Sequence, residues 1–219
     1  MSGSDTGVGK TVLTTWMTRL LRAAGVNAVA LKPVCSGGRE DAVALHAASG
    51  GALSLDEVNP WHFRAALAPV MAARREGRGV RLAEVVAHVR AVASRFEVVL
   101  VEGAGGLLSP LGEDFDTRDW VAALGAVPIV VVPDRLGAVN QSRLVWEALP
   151  KRLRARALVV LMGQGRADAA VRSNAYLLSE CVPGVVVVPV PWVGGRDLSK
   201  PSRRVASALK SLVDALVTR

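Results

Sequence analysis

The chain has 219 residues, of which 51% are hydrophobic and 4% aromatic, a composition typical of parallel strands covered by Ala-rich helices. The formal net charge of +8 would suit nucleic acid, but the arginines are scattered and few aromatic side chains lie among them to stack on bases. We therefore expect no nucleic-acid partner, and the lack of an apolar run of about 18–20 residues predicts no membrane span.

The N-terminal residues and the two cysteines both bear on where in the cell the protein is found. Residues Met1 to Asp5 show neither a basic patch nor an apolar stretch, so they do not resemble a signal peptide. Cys35 and Cys181 are far apart and have no neighbours of metal-ligand type, and we expect both thiols to be reduced. These features predict a cytoplasmic protein.

Short β-branched runs alternate with longer helical patterns along the chain. The predicted strands are Val26 to Leu31, Val98 to Val101, Val127 to Val132, Ala157 to Met162 and Val185 to Val190. The predicted helices are Thr11 to Ala24, Leu82 to Ser94, Arg118 to Leu124, Asn140 to Leu149, Ala167 to Ser179 and Arg203 to Val217. This alternation predicts one α/β domain over residues 1–219, with three layers and a mostly parallel central sheet.

A glycine-rich segment, Gly3-Ser4-Asp5-Thr6-Gly7-Val8-Gly9-Lys10-Thr11, runs directly into the first predicted helix. Glycines allow a tight curl that points backbone N–H groups at phosphate oxygens, and the helix N-terminus adds partial positive charge. Lys10 would reach the β- and γ-phosphates, and the Thr11 hydroxyl would bind Mg²⁺. We therefore expect a P-loop NTPase-like fold, with glycine spacing one residue longer than in the usual Walker pattern.

The position of this phosphate loop is unusual, because such a loop normally follows a strand and Gly3 is only the third residue. Either the start codon is placed late, so that apolar residues upstream of Gly3 are not included, or the chain truly lacks the strand. We favour the first explanation, because a central strand would be costly to lose.

Two charged residues follow predicted strands. Glu102 ends the run Val98 to Val101 and precedes Gly103-Ala104-Gly105-Gly106, so its carboxylate could hold Mg²⁺ together with water and phosphate oxygens. Lys32 follows Leu31 and could direct its ammonium at developing negative charge. Asp41 begins a helical pattern and, taken alone, is an ordinary first-turn acid.

These residues belong to a longer ordered set. It contains Lys-Pro-Val-x-Ser-Gly from Lys32, Asp-Ala-x-x-Leu from Asp41, Val58-Asn59-Pro60, Val-Glu-Gly-Ala-Gly-Gly from Val101, Asp119-Trp120, Leu136 to Asn140 and Pro191-Trp192-Val193. Together with the phosphate loop, the set resembles the dethiobiotin synthetases in order and spacing from Gly3 to about Val193.

The resemblance implies an ATP- and Mg²⁺-dependent ring-closing ligase of biotin biosynthesis. One amine of 7,8-diaminopelargonic acid captures CO₂ as a carbamate, which attacks the γ-phosphate of ATP and forms a carbamic–phosphoric anhydride. The second amine then closes the cyclic urea and releases phosphate. The resemblance also implies a homodimer.

Matching positions assign roles to particular residues. The resemblance implies Lys10 and Lys32 as catalytic residues, and Mg²⁺ ligation by Thr11, Asp41 and Glu102. The implied nucleotide-binding residues are Gly7, Val8, Gly9, Lys10, Thr11, Val12, Asp41, Glu102, Gly103, Ala104, Gly105, Pro191, Trp192 and Val193. The diamine or its carbamate would contact Thr6, Lys32 and Ser36, and its distant carboxylate would meet the helix N-terminus formed by Leu136, Gly137, Ala138, Val139 and Asn140 across the dimer interface.

One departure keeps the nucleotide preference open, since Gly163-Gln164 stands where the family commonly has an asparagine that reads the adenine edge. Two other classes remain as alternatives. A partitioning or metal-insertion ATPase typically carries an additional lysine early in its loop, where this chain has Ser4 and Asp5. A non-catalytic nucleotide-binding relative is disfavoured by the retained charged residues. We expect His62 to pack in a loop rather than to act as a base.

Overall fold

The computed structural model describes residues 1–165, 168–193 and 201–217. Its strands are β1 (Ser2–Gly3), β2 (Ala28–Leu31), β3 (Val34–Ser36), β4 (Trp61–Phe63), β5 (Val98–Val101), β6 (Ile129–Pro133), β7 (Leu158–Met162) and β8 (Val186–Val190). Its α-helices are α1 (Lys10–Ala23), α2 (Glu40–Ala48), α3 (Leu55–Val58), α4 (Pro69–Arg75), α5 (Leu82–Ala93), α6 (Thr117–Leu124), α7 (Ala138–Ala148), α8 (Lys151–Arg154), α9 (Asn174–Cys181) and α10 (Arg203–Val217).

The central sheet is parallel. Strands β1, β6, β7 and β8 are hydrogen-bonded in that order, and β2 pairs with β5. Met1 joins the two groups, because its nitrogen donates to Val101 O at 2.6 Å and its carbonyl accepts from Gly103 N at 3.0 Å. The strand order is therefore β2-β5-β1-β6-β7-β8, and the short β3–β4 pair lies apart from it.

Alternating side chains of the sheet enter two separate cores, which makes three layers. In β6, Val131 packs in the core that also contains Leu13 of α1 and Leu209 of α10. Its neighbour Val130 packs in the other core, with Trp146 of α7 and Leu178 of α9. The predicted three-layer α/β fold with a parallel sheet is confirmed.

The structure differs from the sequence prediction mainly in short elements, and the helices α3, α4 and α8 were not predicted. The parallel pair β3–β4 was not predicted, because three-residue strands are too short to show a period. The helix predicted from Ala167 to Ser179 is a 3₁₀ helix (Ala169–Arg172) followed by α9, and its first residue lies outside the described ranges. A strand does precede the phosphate loop, but it is only the two residues of β1.

Because β1 is so short, β5 and β6 separate below Met1. The space between them is a cavity of about 320 Å³, lined mainly by Val98 to Val101, by Thr117, Trp120 and Leu124 of α6, and by residues 126–129. Three buried polar atoms on its walls, Ser2 Oγ, Thr117 Oγ1 and Trp120 Nε1, have no hydrogen-bond partner among the described residues. None of the described helices combines the length and apolar content that a membrane span requires.

Candidate active site

The phosphate loop connects β1 to α1 at the carboxyl edge of the sheet. Gly7 and Gly9 adopt φ values of 72° and 99°, which L side chains rarely adopt, and Gly9 is the N-cap of α1. A Cβ on Gly9 would also lie 3.1 Å from Met162 Cε. Helix α1 has no acidic residue in its first turn, so its N-terminal partial charge remains available to an anion. The conformation of the loop and the free helix N-terminus would suit an anion, and phosphate binding by these residues stays a prediction.

Lys10 lies in the first turn of α1 and is only 6% exposed. Its Nζ donates to the backbone carbonyl of Asp5 at 2.8 Å, within the phosphate loop itself. Burial lowers the pKa of Lys10 from 10.5 to about 8, and the nearby charge of Lys32 acts in the same direction. An anion bound in the loop would favour the charged form of Lys10 again. The Lys10 ammonium would then bond the anion in place of the Asp5 carbonyl.

A second cluster of charged side chains lies where β2 and β5 end beside each other. Lys32 Nζ lies 2.6 Å from Asp41 Oδ2 and 2.6 Å from Glu102 Oε1. The Thr11 hydroxyl donates to the same Glu102 oxygen at 2.7 Å. The parallel register of β2 and β5 places Lys32 opposite Glu102, and α2 supplies Asp41 from its first turn. Four residues that the sequence assigned to catalysis or metal binding therefore meet at one point.

The electrostatics of this cluster are dominated by one fully buried carboxylate. Burial disfavours the charged form of Lys32, but the carboxylates of Glu102 and Asp41 outweigh it, so the pKa of Lys32 lies above 10.5. Burial likewise disfavours ionised Asp41, yet Lys32 overcomes this and lowers its pKa below 3.8. Lys32 and Asp41 are thus both held charged at neutral pH.

The same residues fit a magnesium ion. Glu102 Oε2 is buried and, within the described ranges, has no hydrogen-bond partner, which leaves a carboxylate oxygen for a cation. No group of three His, Cys, Asp or Glu side chains suited to a metal occurs among the residues that the structure describes. A magnesium ion here would be held by Asp41, Glu102 and the Thr11 hydroxyl, with phosphate or water completing its six ligands.

Both charged groups open into one cavity of about 830 Å³. Besides the charged residues, its walls include Thr6, Gly7, Gly9, Val12 and Ser36, all predicted to bind ligands, and Ala104 and Gly105 after β5. Val8 is buried in the core beneath the loop, and Gly103 donates its N–H to Met1, so neither lines the cavity. A volume of this size is in the range of small-molecule sites.

Sequence reasoning missed one wall of this cavity, formed by Ala66, Leu67, Ala68 and Pro69. The segment is held by the Ser36 hydroxyl, which donates to Leu67 O at 2.5 Å. It carries no charged or hydrogen-bonding side chain, so the sequence offered no chemical signal for it. Cys35, Ser109 and Pro110 also line the cavity without having been predicted.

The helix N-terminus predicted to bind a carboxylate lies outside this cavity. Gly137, with φ 93°, is the N-cap of α7, and Leu136 donates its N–H to Asp168 Oδ2 at 2.7 Å. Leu136 is 76% exposed, and residues 136–140 do not line the cavity. Their role across a dimer interface stays a prediction.

The predicted base-binding residues also lie beyond the cavity walls. Pro191 and Trp192 follow β8 and are exposed, beside the end of β7. A Cβ on Gly163 would lie 2.3 Å from Trp192 N, so the two loops touch through their backbones. Gln164 donates its Nε2 to Met162 O at 2.9 Å. Contact between the base and Pro191, Trp192 or Val193 stays a prediction.

His62 lies in β4, not in a loop, with its Nε2 2.8 Å from Gly37 O. It does not line the cavity.

Comparison with known proteins identifies the family. A family model described as an AAA domain matches residues 1–194. The chain is 41% identical over 218 residues to the ATP-dependent dethiobiotin synthetase BioD of Anaeromyxobacter dehalogenans strain 2CP-C, with 97% of each protein covered. It is 49% identical over 164 residues to the protein of that name from Anaeromyxobacter sp. strain Fw109-5, covering 73% of this chain and 72% of that one.

Among solved structures, the chain is similar in fold to the signal recognition particle receptor FtsY of Elizabethkingia anophelis. The TM-score is 0.52 at 15% identity, over 95% of this chain and 63% of that one. At this identity the likeness concerns the fold alone. The family is shown by the sequence relatives: the chain belongs to the ATP-dependent dethiobiotin synthetases.

Proposed function

We propose that the chain is an ATP- and Mg²⁺-dependent ligase that converts 7,8-diaminopelargonic acid and CO₂ to dethiobiotin through a carbamate and a carbamic–phosphoric anhydride. The observation that carries this proposal is the meeting of Lys10, Lys32, Thr11 and Glu102 in one cavity at the phosphate loop. The relatives are named ATP-dependent dethiobiotin synthetases, which supports the ATP-dependent formation of dethiobiotin.

The residues of the chain would act by positioning and charge neutralisation, which supply most of the catalysis of phosphoryl transfer. Backbone N–H groups of residues 7–12 would bind the β- and γ-phosphates, and Lys10 would neutralise their charge. Lys32 would stabilise the carbamate and the transferring phosphoryl group. Magnesium, held by Thr11, Asp41 and Glu102, would supply charge neutralisation between the phosphate oxygens.

The diamine would bind between the phosphate loop and residues 66–69. Thr6 and Ser36 line the cavity together with Lys32, and the Ala66 to Pro69 wall is apolar. A chain of methylene groups would therefore lie on that wall, with its two amines directed at the polar side. The cavity of about 830 Å³ has room for the phosphates and the diamine together.

We further propose a homodimer in the cytoplasm. Leu136 and Leu144 of the α7 region and Tyr176 and Leu177 of α9 are exposed, and α7 packs against α9. We propose that a second copy covers these side chains and that the N-terminus of α7 then meets the partner's cavity. Cys35 and Cys181 are free thiols, as is usual in a reducing compartment.

The test is an assay with diaminopelargonate, bicarbonate and Mg²⁺, with ATP, CTP or GTP as the nucleotide, in which dethiobiotin is measured by mass spectrometry. We expect dethiobiotin and one phosphate per product. Lys10→Met should lower kcat/KM by about a thousandfold or more, because it removes a charge at the transferring phosphate. Lys210→Met, an exposed lysine of α10, is the matched control and should retain normal turnover.

Two outcomes would contradict the proposal. Phosphate release that does not depend on the diamine would favour a P-loop ATPase. Nucleotide binding without turnover in any of the three mixtures would favour a non-catalytic relative.

A further inference from the structure

The Lys32 ammonium occupies the two carboxylates at the centre of the site. In the structure, the Lys32 ammonium lies 2.6 Å from both Asp41 Oδ2 and Glu102 Oε1. The Lys32 side chain is 7% exposed and the Glu102 side chain 0%. A carboxylate this deeply buried requires a positive partner, because an uncompensated charge in the interior is strongly destabilising. Lys32 is that partner here.

The arrangement leaves no room for a metal on the same oxygens. Magnesium binds carboxylate oxygens at about 2.0–2.1 Å in nearly ideal octahedral geometry. An ion at that distance from Glu102 Oε1 and Asp41 Oδ2 would fall close to Lys32 Nζ and repel it, since like charges a few ångströms apart interact strongly in a partly buried site. The ammonium and a magnesium ion are therefore alternatives on Glu102 Oε1 and Asp41 Oδ2.

We propose that Lys32 and Mg²⁺ occupy the Asp41–Glu102 pair in turn, so that metal binding expels the Lys32 ammonium into the cavity. This inference rests on the proposed function, in which Lys32 acts on the carbamate and the transferring phosphate. Binding of the metal then releases the Lys32 ammonium to the reacting groups. Until the metal has replaced it as the counter-ion of Glu102, Lys32 is not available to them.

The exchange predicts that Lys32 weakens metal binding. In the full chain without nucleotide, Mn²⁺ titration followed by electron paramagnetic resonance should give a Kd lower by about tenfold or more for Lys32→Met, because the competing charge is gone. Lys210→Met, at an exposed lysine of α10 far in sequence from these carboxylates, is the matched control. Its Kd should change much less. Equal affinity in Lys32→Met and the native chain would overturn the proposal.

A measurement on the native chain avoids any dependence on the folding of Lys32→Met. The sequence contains five lysines, so ¹⁵N-lysine labelling gives a simple spectrum of side-chain ammonium groups. The Lys32 signal, protected by two carboxylates, should shift or broaden on addition of Mg²⁺, whereas the exposed Lys151 and Lys210 should not respond. A Lys32 signal that is unchanged at saturating Mg²⁺ would overturn the exchange.

The two proposals fail separately. Dethiobiotin formation together with an unresponsive Lys32 signal would remove the exchange and leave the ligase. A responsive Lys32 signal in a chain that forms no dethiobiotin would retain the exchange and remove the ligase.

Discussion

Glu102 is the residue at which the polar contacts of the site converge. Its Oε1 accepts hydrogen bonds from Thr11 and Lys32, while the whole side chain is inaccessible to solvent. Hydrogen bonds to a buried charge are worth more than those between neutral groups, because the alternative is a poorly solvated ion. The Thr11 hydroxyl therefore has a structural role as well as its proposed role as a metal ligand.

Replacement of this hydroxyl tests both roles at the scale of one residue. Thr11→Val keeps the shape and should lower the free energy of unfolding by about 1.5–3 kcal/mol. It should also raise the Mg²⁺ concentration required for half-maximal activity. Thr11→Ser, which retains the hydroxyl, should stay close to the native chain in both measurements. Equal urea denaturation midpoints for the two variants would contradict the structural role.

Lys10, Thr11, Lys32 and Glu102 were predictable, because each followed a strand or stood in the phosphate loop. Asp41, in the first turn of α2, was assigned only through the family resemblance. Lys32 and Glu102 end neighbouring parallel strands, and such ends meet at one edge of the sheet. The pairing between them was not predictable, since side-chain distances depend on register and on how α2 packs. The Ala66 to Pro69 wall was not predictable either, because only tertiary contacts bring it to the cavity.

At the scale of elements, the loops that follow β7 and β8 are in contact through their main chains. Gly163 lies so close to residues 191 and 192 that a side chain there would collide with their main chain. The close approach explains why glycine precedes Gln164. It also fixes the loop that carries Trp192 relative to Met162, which in turn touches Gly9 of the phosphate loop.

Gly163→Ala should therefore separate the two loops. The added Cβ would lie 2.3 Å from Trp192 N, and the strain should cost about 1–3 kcal/mol of stability. If Trp192 contacts the base, the Kd for ATP should rise as well. Gly79→Ala, where nothing lies within 4 Å of the new Cβ, is the matched control. Calorimetric unfolding and nucleotide titration of both variants are the measurements, and equal melting temperatures would contradict the steric argument.

At the scale of the whole molecule, Met1 and the two-residue strand β1 bridge β5 and β6. The α-ammonium of Met1 is buried there, and burial lowers its pKa from 8.0 to about 6. The unfolded chain thus binds a proton at this nitrogen between pH 8 and about 6, whereas the folded chain does not. The contribution of this amino group to the free energy of unfolding should be fully present above pH 8 and should be lost as the pH falls to about 6.

This pH dependence gives a prediction of about 3 kcal/mol for the change in the free energy of unfolding across that window. Urea denaturation at several pH values measures it. Acetylation of the Met1 nitrogen removes the titrating group, so the acetylated chain should lose that part of the dependence. An unchanged pH profile after acetylation would contradict the assignment.

The cavity of about 320 Å³ gives a second prediction at this scale. About four β-branched residues joined to Met1 would reach along Val98 to Val101 at about 3.3 Å per residue and pair with both neighbouring strands. The melting temperature should rise by about 5 °C or more. An extension of equal length made of glycine and serine is the control, and an equal rise in both chains would show that strand pairing is not the cause.

The walls of the larger cavity come from chain segments around residues 6–12, 32–41, 66–69 and 102–110, which only the complete fold brings together. A nucleotide bound among them acts as a non-covalent cross-link between distant parts of the polypeptide. At a concentration one hundred times its Kd, such a ligand raises the free energy of unfolding by about 2.7 kcal/mol. Availability of the nucleotide would thus govern how long the protein survives proteolysis as well as how fast it works.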